Sequence, residues 1–526
     1  MTQPEWGYAG DSALNRMGIR HRSVMDASLA WLWILGAALI LGTSGCGGSQ
    51  PEIIPSKYAA PAPGRFSPMD EKTGQAEALA EKRPPESPQL KPASGPYTLA
   101  QLVDVALVNN PSTRATWERA RAAAAQWGAS RGDYYPSVGG EARGMGFGGD
   151  STSGYYGNVG VSLSYLLLDF GGRAAASESA RQALLAANWN HNQTIQDVLR
   201  DVPQAYYRYL GNKARLRASQ SDLKEAITSL KSTEQRKKAG VSTIADVLQA
   251  RAKVDQVRLD LVADRGAVKI SHGNLATAVG WPANVDFEVS EAPEALPIKD
   301  ITQNTQELID LALGDRPDLA AARAAVLESQ ANLRKAESGL WPKVTATGNA
   351  GWSGIDADLG DGGFFPGGGD ISSSGVNYSG GLLLQFPLFE GFSLRNRVRA
   401  AQAEVEADRA ALRLKEEAVI ADVWSAFYNM QTAGQRLESS KTLLTSSKES
   451  YQVSLARYRA GVTDIVELLN AQSTLASARA QRVQAETDLF TSYAELLHAI
   501  GTELPTDLSM DMPVSQSQSE ASAHEH

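Results

Sequence analysis

The side chains with chemistry to offer are few and scattered. The six histidines (His21, His191, His272, His498, His524 and His526) never stand at ligand spacing with the one cysteine, Cys46. A zinc site needs such spacing, so no catalytic metal is expected. His524-Glu-His526 offers two imidazoles, but in that setting it reads as a frayed polar tail. No nucleophile, base and orienting group form a set. Gly144 to Gly149 is glycine-rich yet lies between strand-like segments, without the strand-to-helix context of a phosphate loop. Neither an enzyme nor a cofactor is therefore expected. Basic residues number 50 against 59 acidic ones, for a net charge of −9, and no basic cluster is interleaved with aromatics. Nucleic acid is not an expected partner.

Cys46 is informative by position. Arg16, Arg20 and Arg22 precede an apolar run from Leu29 to Leu41, and Gly42-Thr-Ser-Gly45 follows. Basic, short apolar and small regions in that order read as a secretory signal over 1–45; the run is too short to span a bilayer. A cysteine right after small residues resembles the bacterial lipobox, in which it becomes an acylated N-terminus. Thr43 stands where leucine is usual, so an ordinary signal with an incidental cysteine is the alternative. The stretch before Arg16 is long for a signal, which admits Met17 as the start. Residues 46–96, rich in Pro, Gly, Ser and charge, are expected to be the lipidated N-terminus and an extended linker.

The remaining candidates sit at two turns, and the chain spells those turns twice. Lys238-Ala-Gly-Val-Ser-Thr-Ile-Ala-Asp-Val-Leu-Gln-Ala250 returns as Arg459-Ala-Gly-Val-Thr-Asp-Ile-Val-Glu-Leu-Leu-Asn-Ala471, a shift of 221 positions (461 − 240). Tyr165-Leu-Leu-Leu-Asp169 and Phe386-Pro-Leu-Phe-Glu390 obey the same shift. Asn110-Pro111 matches Arg316-Pro317, and Tyr135-Pro136 matches Trp341-Pro342. So long a repeat is no solenoid unit. It is a duplicated half-protein, 97–301 and 302–502, with a polar tail at 503–526.

Each half needs the same elements. Short helices are expected over 99–109 and 304–314. Alanine-rich helices over 112–134 and 318–340 should end at Tyr-Pro and Trp-Pro, because a residue before proline leaves helical space. Two strands per half follow: 137–147 with 155–169, and 343–353 with the segment around Tyr378 to Phe386. Val159, Val161, Leu163 and Tyr165 alternate with Gly160, Ser162 and Ser164, as in a strand with one face in lipid and one in water. Gly354 to Ser374, rich in Gly and Asp, reads as a hydrophilic loop that absorbs the extra length of the second copy. Two helices of about 68 residues follow, Gly172 to Ala239 and Phe392 to Ala460, each roughly 100 Å long. Pro203 should kink the first without ending it. Leu216, Leu223, Ile227 and Leu230, and Leu437, Leu444, Tyr451, Leu455 and Tyr458, recur at coiled-coil spacing. The chain then turns at Gly240 and Gly461, where glycine tolerates a left-handed backbone, and runs back through Val247, Val254 and Leu261, or Leu468 and Leu475.

Four membrane strands cannot close a sheet, and an open edge is not tolerated in hydrocarbon. Single-chain barrels begin at about eight strands, so an oligomer is required. The fold class expected is an α+β membrane protein. Its strands form part of an oligomeric transmembrane β-barrel, continued by an α-helical coiled-coil barrel in water. Tyr135 and Trp341 stand where such a barrel places its aromatic girdle.

Over 97–500 the chain resembles the TolC family of outer-membrane efflux proteins, and more narrowly its lipoprotein members. The doubled Leu-Asp169-Phe-Gly171 and Pro387-Leu-Phe-Glu-Gly391 segments and the doubled Ala-Gly-Val turns carry the resemblance. It implies a homotrimer with a twelve-strand barrel in outer-membrane lipid and a twelve-helix periplasmic tunnel. It also implies a periplasmic adaptor and an inner-membrane transporter of the RND type. Glu467 falls at the first of two pore-constricting acids of the family, while the second is Asn470 here. Asp246 and Tyr458 match two positions of a closed-state lock whose arginine position is Thr463. Gly240, Val241 and Thr243, with Gly461, Val462 and Thr463, would form the adaptor-docking turns. The exit duct of a type I protein secretion system shares this pattern. A structural coiled-coil protein of the periplasm is the reading from another class.

Overall fold

In the computed structural model the described residues are 58–67, 95–149, 153–291, 304–358 and 370–501. The expectations for the signal segment, Cys46 and the C-terminal tail fall outside them.

The duplication appears as two runs of identical helix lengths. Helices α1 (Leu99–Asn109) and α2 (Pro111–Gly132) lead to strands β1 (Ser137–Gly148) and β2 (Ser153–Leu168), then to α3 (Gly172–Lys238) and α4 (Ile244–Val279). The second half repeats this as α5 (Thr305–Asp315), α6 (Pro317–Ser338), β3 (Lys343–Asp358), β4 (Asp370–Gln385), α7 (Ser393–Arg459) and α8 (Ile465–Ile500). Local chemistry sets the boundaries. Thr98 closes a capping box on α1, and Pro111 and Pro317 occupy first-turn positions whose missing N–H costs nothing. Gly280 and Gly501 end α4 and α8 with φ of 88° and 83°. Helix α3 runs unbroken through buried Pro203. Among the described residues, no helix is long and apolar enough to cross a membrane.

Four expectations need correction. The alanine-rich helices stop at Gly132 and Ser338, two residues short of the expected ends at 134 and 340. A tight turn intervenes, with Tyr135 N donating to Gly132 O (2.9 Å) and Trp341 N to Ser338 O (3.2 Å). The chain must reverse before the extended residue that precedes each proline. Second, the loop expected over Gly354 to Ser374 is strand at both its ends: β3 reaches Asp358 and β4 begins at Asp370, and 359–369 lie outside the described residues. The extra length of the second copy is therefore shared by a longer strand, the connection between strands, and the link from β4 to α7.

Third, part of the expected linker is docked. Ala59 and Ala60 are buried, Trp117 Nε1 donates to Ala60 O (2.7 Å), and Asn192 brackets Ser67 with bonds of 2.7 and 3.3 Å. Side chains of α2 and α3 thus satisfy the polar backbone of an irregular segment, which lets it lie buried. Fourth, the coiled-coil seam of α3 is polar. Ser219, Asp222, Ala226, Ser229 and Thr233 are buried at alternating spacings of three and four, and the expected leucines flank them half-buried. Small seam residues let the helices approach closely. In α7, Tyr451 and Tyr458 are buried as expected.

Two apolar clusters hold the midsection. One joins α1, α3 and α4 around Leu102, Tyr206 and Leu275, and the other joins α5, α7 and α8 around Leu308, Val423 and Leu496. A third, around Tyr458, Ile465 and Leu468, lies near the second turn.

Candidate functional site

The four strands form one antiparallel sheet in the order β1-β2-β3-β4, leaving β1 and β4 as edges. Register assigns every side chain to a face. One face carries Ala142, Val159, Trp352 and Val376 in one row and Val161, Ala350 and Tyr378 in another. Tyr165, Ala346 and Leu382 make a third row of that face. The opposite face carries Glu141, Gly160, Gly351 and Asn377, then Arg143, Asn158 and Ser353. Asn377 Nδ2 donates to Ser353 Oγ across this face (2.9 Å). The apolar rows run from Val344 to Trp352, about 26 Å of strand at roughly 3.3 Å per residue, the scale of a bilayer core crossed at a tilt. Val376 and Tyr378 are 80% and 87% exposed, so no described residue covers this face at β4.

The expected girdle residues stand at the helix-to-strand junctions. Tyr135 and Trp341 are both exposed, and Trp341 stacks on Phe170 with ring centroids 5.4 Å apart. Phe170 and Gly171, and at the equivalent point Gly391 and Phe392, all have positive φ (51°, 92°, 59° and 64°). The two copies thus share one left-handed pair with its glycine on opposite sides.

At the other end of the helices the turns behave as their glycines predict, with φ of 77° at Gly240 and 76° at Gly461. Val241 N reaches back to Arg236 O (2.9 Å), and Val462 N to Arg457 O (3.0 Å). These reversals leave the Val241 and Val462 side chains exposed. Thr243 Oγ1 accepts from Asp246 N (3.2 Å) while Asp246 Oδ2 accepts from Thr243 N (2.7 Å) and Ser242 Oγ (2.8 Å). These bonds, Thr243's first, hold the Asp246 carboxyl below its ordinary range, and the charge of Arg236 adds to them.

The expected Asp246–Tyr458 contact is not formed within the chain. The Tyr458 hydroxyl bonds Thr233 Oγ1 (3.0 Å) in a buried position instead. Arg236 is the group that faces both candidates. Its guanidinium lies 4.8 Å from the Tyr458 ring centre, and Nη1 donates to Tyr458 O (2.8 Å). Arg236 was missed in the sequence, although the repeat carries a signal for it: it and Arg457 both stand four residues before their turn glycine. Arg457 acts differently. It donates to Glu467 Oε1 (3.0 Å), while Thr463 Oγ1 donates to the other carboxylate oxygen and Asp464 caps Glu467 N (3.0 Å). Glu467 is therefore already paired and half-exposed, and Asn470 is exposed one turn further on.

The first hairpin is tied to the second above the tips as well. Arg479 of α8 donates to Asp222 and, at 2.7 and 3.1 Å, to Glu225 of α3. His498 meets Asp197 (2.8 Å), and Gln204 donates to Glu495 (2.7 Å).

The comparisons agree with this geometry. The family model described as "Outer membrane efflux protein" matches residues 102–281 and 308–502. Protein CyaE of Bordetella pertussis is 30% identical over 413 residues, covering 77% of this chain and 84% of that protein. The probable efflux pump outer membrane protein TtgC of Pseudomonas putida strain KT2440 is 25% identical over 426 residues, 77% of this chain and 82% of its own. Among solved structures, the outer-membrane channel OprN superposes with a TM-score of 0.66 at 26% identity, over 77% of this chain and 89% of its own. With two faced strands per half, two long hairpins and a family match across both halves, the chain belongs to the outer membrane efflux protein family.

Proposed function

We propose that three copies of this chain form a passive exit duct. It conducts cargo out of the cell after an inner-membrane transporter and a periplasmic adaptor deliver it. The observation that carries the reading is the sheet with one apolar and one polar face and two free edges, β1 and β4. An edge cannot stay unpaired in hydrocarbon, and pairing β4 of one copy with β1 of the next closes twelve strands in a trimer. The four long helices of each chain then make a twelve-helix tunnel. The exposed turns at Val241 and Val462 are the surfaces offered to the adaptor, and the transporter is of the RND type. Cys46 bears acyl chains that add a lipid anchor on the same membrane.

The test is extraction from the outer membrane followed by planar-bilayer recording. A heat-resistant trimer that conducts in discrete steps is expected. A monomer that leaves with the soluble periplasm would refute the duct. Mass measurement of the N-terminal peptide, with and without Cys46→Ser, tests the anchor. An unacylated Cys46 in the mature protein would remove it.

A further inference from the structure

Helices α2 and α3 meet the sheet side by side and run in opposite directions, and the groove between them is filled at one level and open at another. Asn188 Nδ2 donates to Tyr58 O (2.7 Å), and the Tyr58 ring stands edge-on to Trp127 with centroids 4.9 Å apart. From Tyr58 the docked segment runs away from the strands, to Ser67 beside Asn192. On the strand side of Tyr58 the groove continues as a cavity of about 380 Å³. Ala174, Glu178 and Arg181 line it on α3 and share the stripe of Asn188, at helical spacing. Trp127, Tyr134 and Tyr135 give it aromatic walls, and Ala174 and Ser177 leave the space.

Its two arginines, Arg131 and Arg181, approach from opposite ends. A helical side chain leans toward the N-terminus of its helix. Helix α3 starts at the strands, so Arg181 leans toward the membrane; α2 ends there, so Arg131 leans away from it. The contacts agree. Arg131 lies over the ring of Trp127, four residues earlier (5.6 Å), and Arg181 bonds Glu178, three residues earlier (2.9 and 2.8 Å). Glu178 takes Nε and Nη2 of Arg181 and leaves its Nη1 without an acceptor among the described residues. One carboxylate against two guanidiniums leaves the groove positive. Tyr135, at its upper edge, stands at the expected lipid boundary, where phosphate headgroups meet water.

The repeat acts as an internal control. Helices α6 and α7 meet the sheet in the same way. A shift of 206 (317 − 111) puts Leu333, Glu337 and Leu340 at the places of Trp127, Arg131 and Tyr134. The shift of 221 puts Arg395 and Val398 at those of Ala174 and Ser177. The second junction thus forms without the aromatic walls, the Arg131 charge or the small residues that leave the space, so the fold does not require them.

We infer that this groove binds the headgroup of a phospholipid from the periplasm-facing leaflet, with the phosphate between Arg131 and Arg181 and the glycerol against Trp127 and Tyr134. Guanidinium donors suit a phosphate diester, and flat aromatic rings suit the boundary between acyl chain and water. The inference rests on the membrane-embedded duct proposed above and adds a lipid site to each chain.

Native mass spectrometry of the full-length trimer, stripped of lipid in detergent and titrated with phosphatidylglycerol, tests it. One lipid should be retained per chain. Arg131→Gln with Arg181→Gln should raise the half-saturating lipid concentration roughly tenfold or more, the loss expected for a charge-assisted hydrogen bond. Arg399→Gln, at the Glu178 place of the second copy, should leave it unchanged. Equal retention by the wild type and the double variant, both as intact trimers, overturns the site. Inorganic phosphate should not displace the lipid; displacement at equal concentration overturns the lipid reading in favour of a bare anion. Tyr134→p-benzoylphenylalanine, irradiated in the membrane, should give an adduct of phospholipid mass. An adduct with residues 46–57 would give the groove to the chain's own tether and overturn the lipid. A chain that never enters the membrane refutes the duct itself, a separate failure.

Discussion

Asp318 illustrates how a single carboxylate organises the start of the second half. It receives hydrogen bonds from Arg316 (2.7 and 3.0 Å) and an ammonium from Lys415 of α7 at 2.8 Å. Burial alone would raise its pKa, but these cations bring it down to about 2. A lowered acid stabilises the fold above its unfolded value of 3.8 and loses that contribution as pH falls toward 2. Asp318→Asn should cost about 2 kcal/mol at neutral pH. It should also flatten the pH dependence of the urea midpoint between about pH 4 and 2, followed by circular dichroism. The cluster on Arg479 behaves in the opposite sense. Burial pushes the Asp222 carboxyl up despite its arginine partner, so its charge is held at a cost that grows as pH rises through its ordinary range. Asp222→Leu, the residue found at the shifted position Leu443, should be close to neutral in stability. Arg479→Leu strands two carboxylates and should lose about 3 kcal/mol. Equal losses in both variants would show that the pair acts only as a unit. The gate candidates teach a related lesson. Asp246 and Tyr458 were singled out only by their match to a closed-state lock of the resembled family, and the Asp246 carboxylate is claimed first by its own helix N-terminus. The reach of Arg236 across hairpins depends on the packing of α3 against α8 of the second hairpin, which no local pattern encodes.

Elements follow the sequence closely where periodicity is strong. The long helices begin and end within a residue of the expected limits because a left-handed residue stands just before each start (Gly171, Phe392) and a left-handed glycine just after each end (Gly240, Gly461). Strand limits were less legible. The segment from Gly354 to Asp358 is rich in Gly and Asp yet pairs fully with β2, since ladder partners hold residues of low strand propensity. The two faces of the sheet make a direct prediction. Tyr378→Arg places a charge inside the apolar face, in from its end row at Trp352, and should cost roughly 2–4 kcal/mol. Asn377→Arg, one residue before it and on the polar face, should be tolerated. The yield of heat-resistant trimer in the outer membrane reads both. Comparable losses would mean that the face assignment is wrong.

For the whole molecule, the closed state is expected to depend on contacts that no single element contains. Arg236 and Thr233 of the first hairpin hold Tyr458 of the second, and Arg236 also faces Asp246. Arg236→Ala should raise single-channel conductance in a planar bilayer several-fold, on the order of the effect of removing one charge-assisted bond. Tyr458→Phe, which loses only the hydroxyl contact, should have the smaller effect. Unchanged conductance in Arg236→Ala would remove this link from the closed state. The sequence by itself determined the duplication, the order of elements, the turns and the need for partner chains, because these rest on periodicity, glycine placement and the impossibility of an open sheet edge in lipid. Tertiary structure alone decided which side chains meet: that Glu467 is paired with Arg457, that Tyr458 turns to Thr233, and that the seam inside the chain is charged. Those outcomes depend on the rotation and stagger of neighbouring helices, and a one-residue change in either brings a different set of side chains face to face.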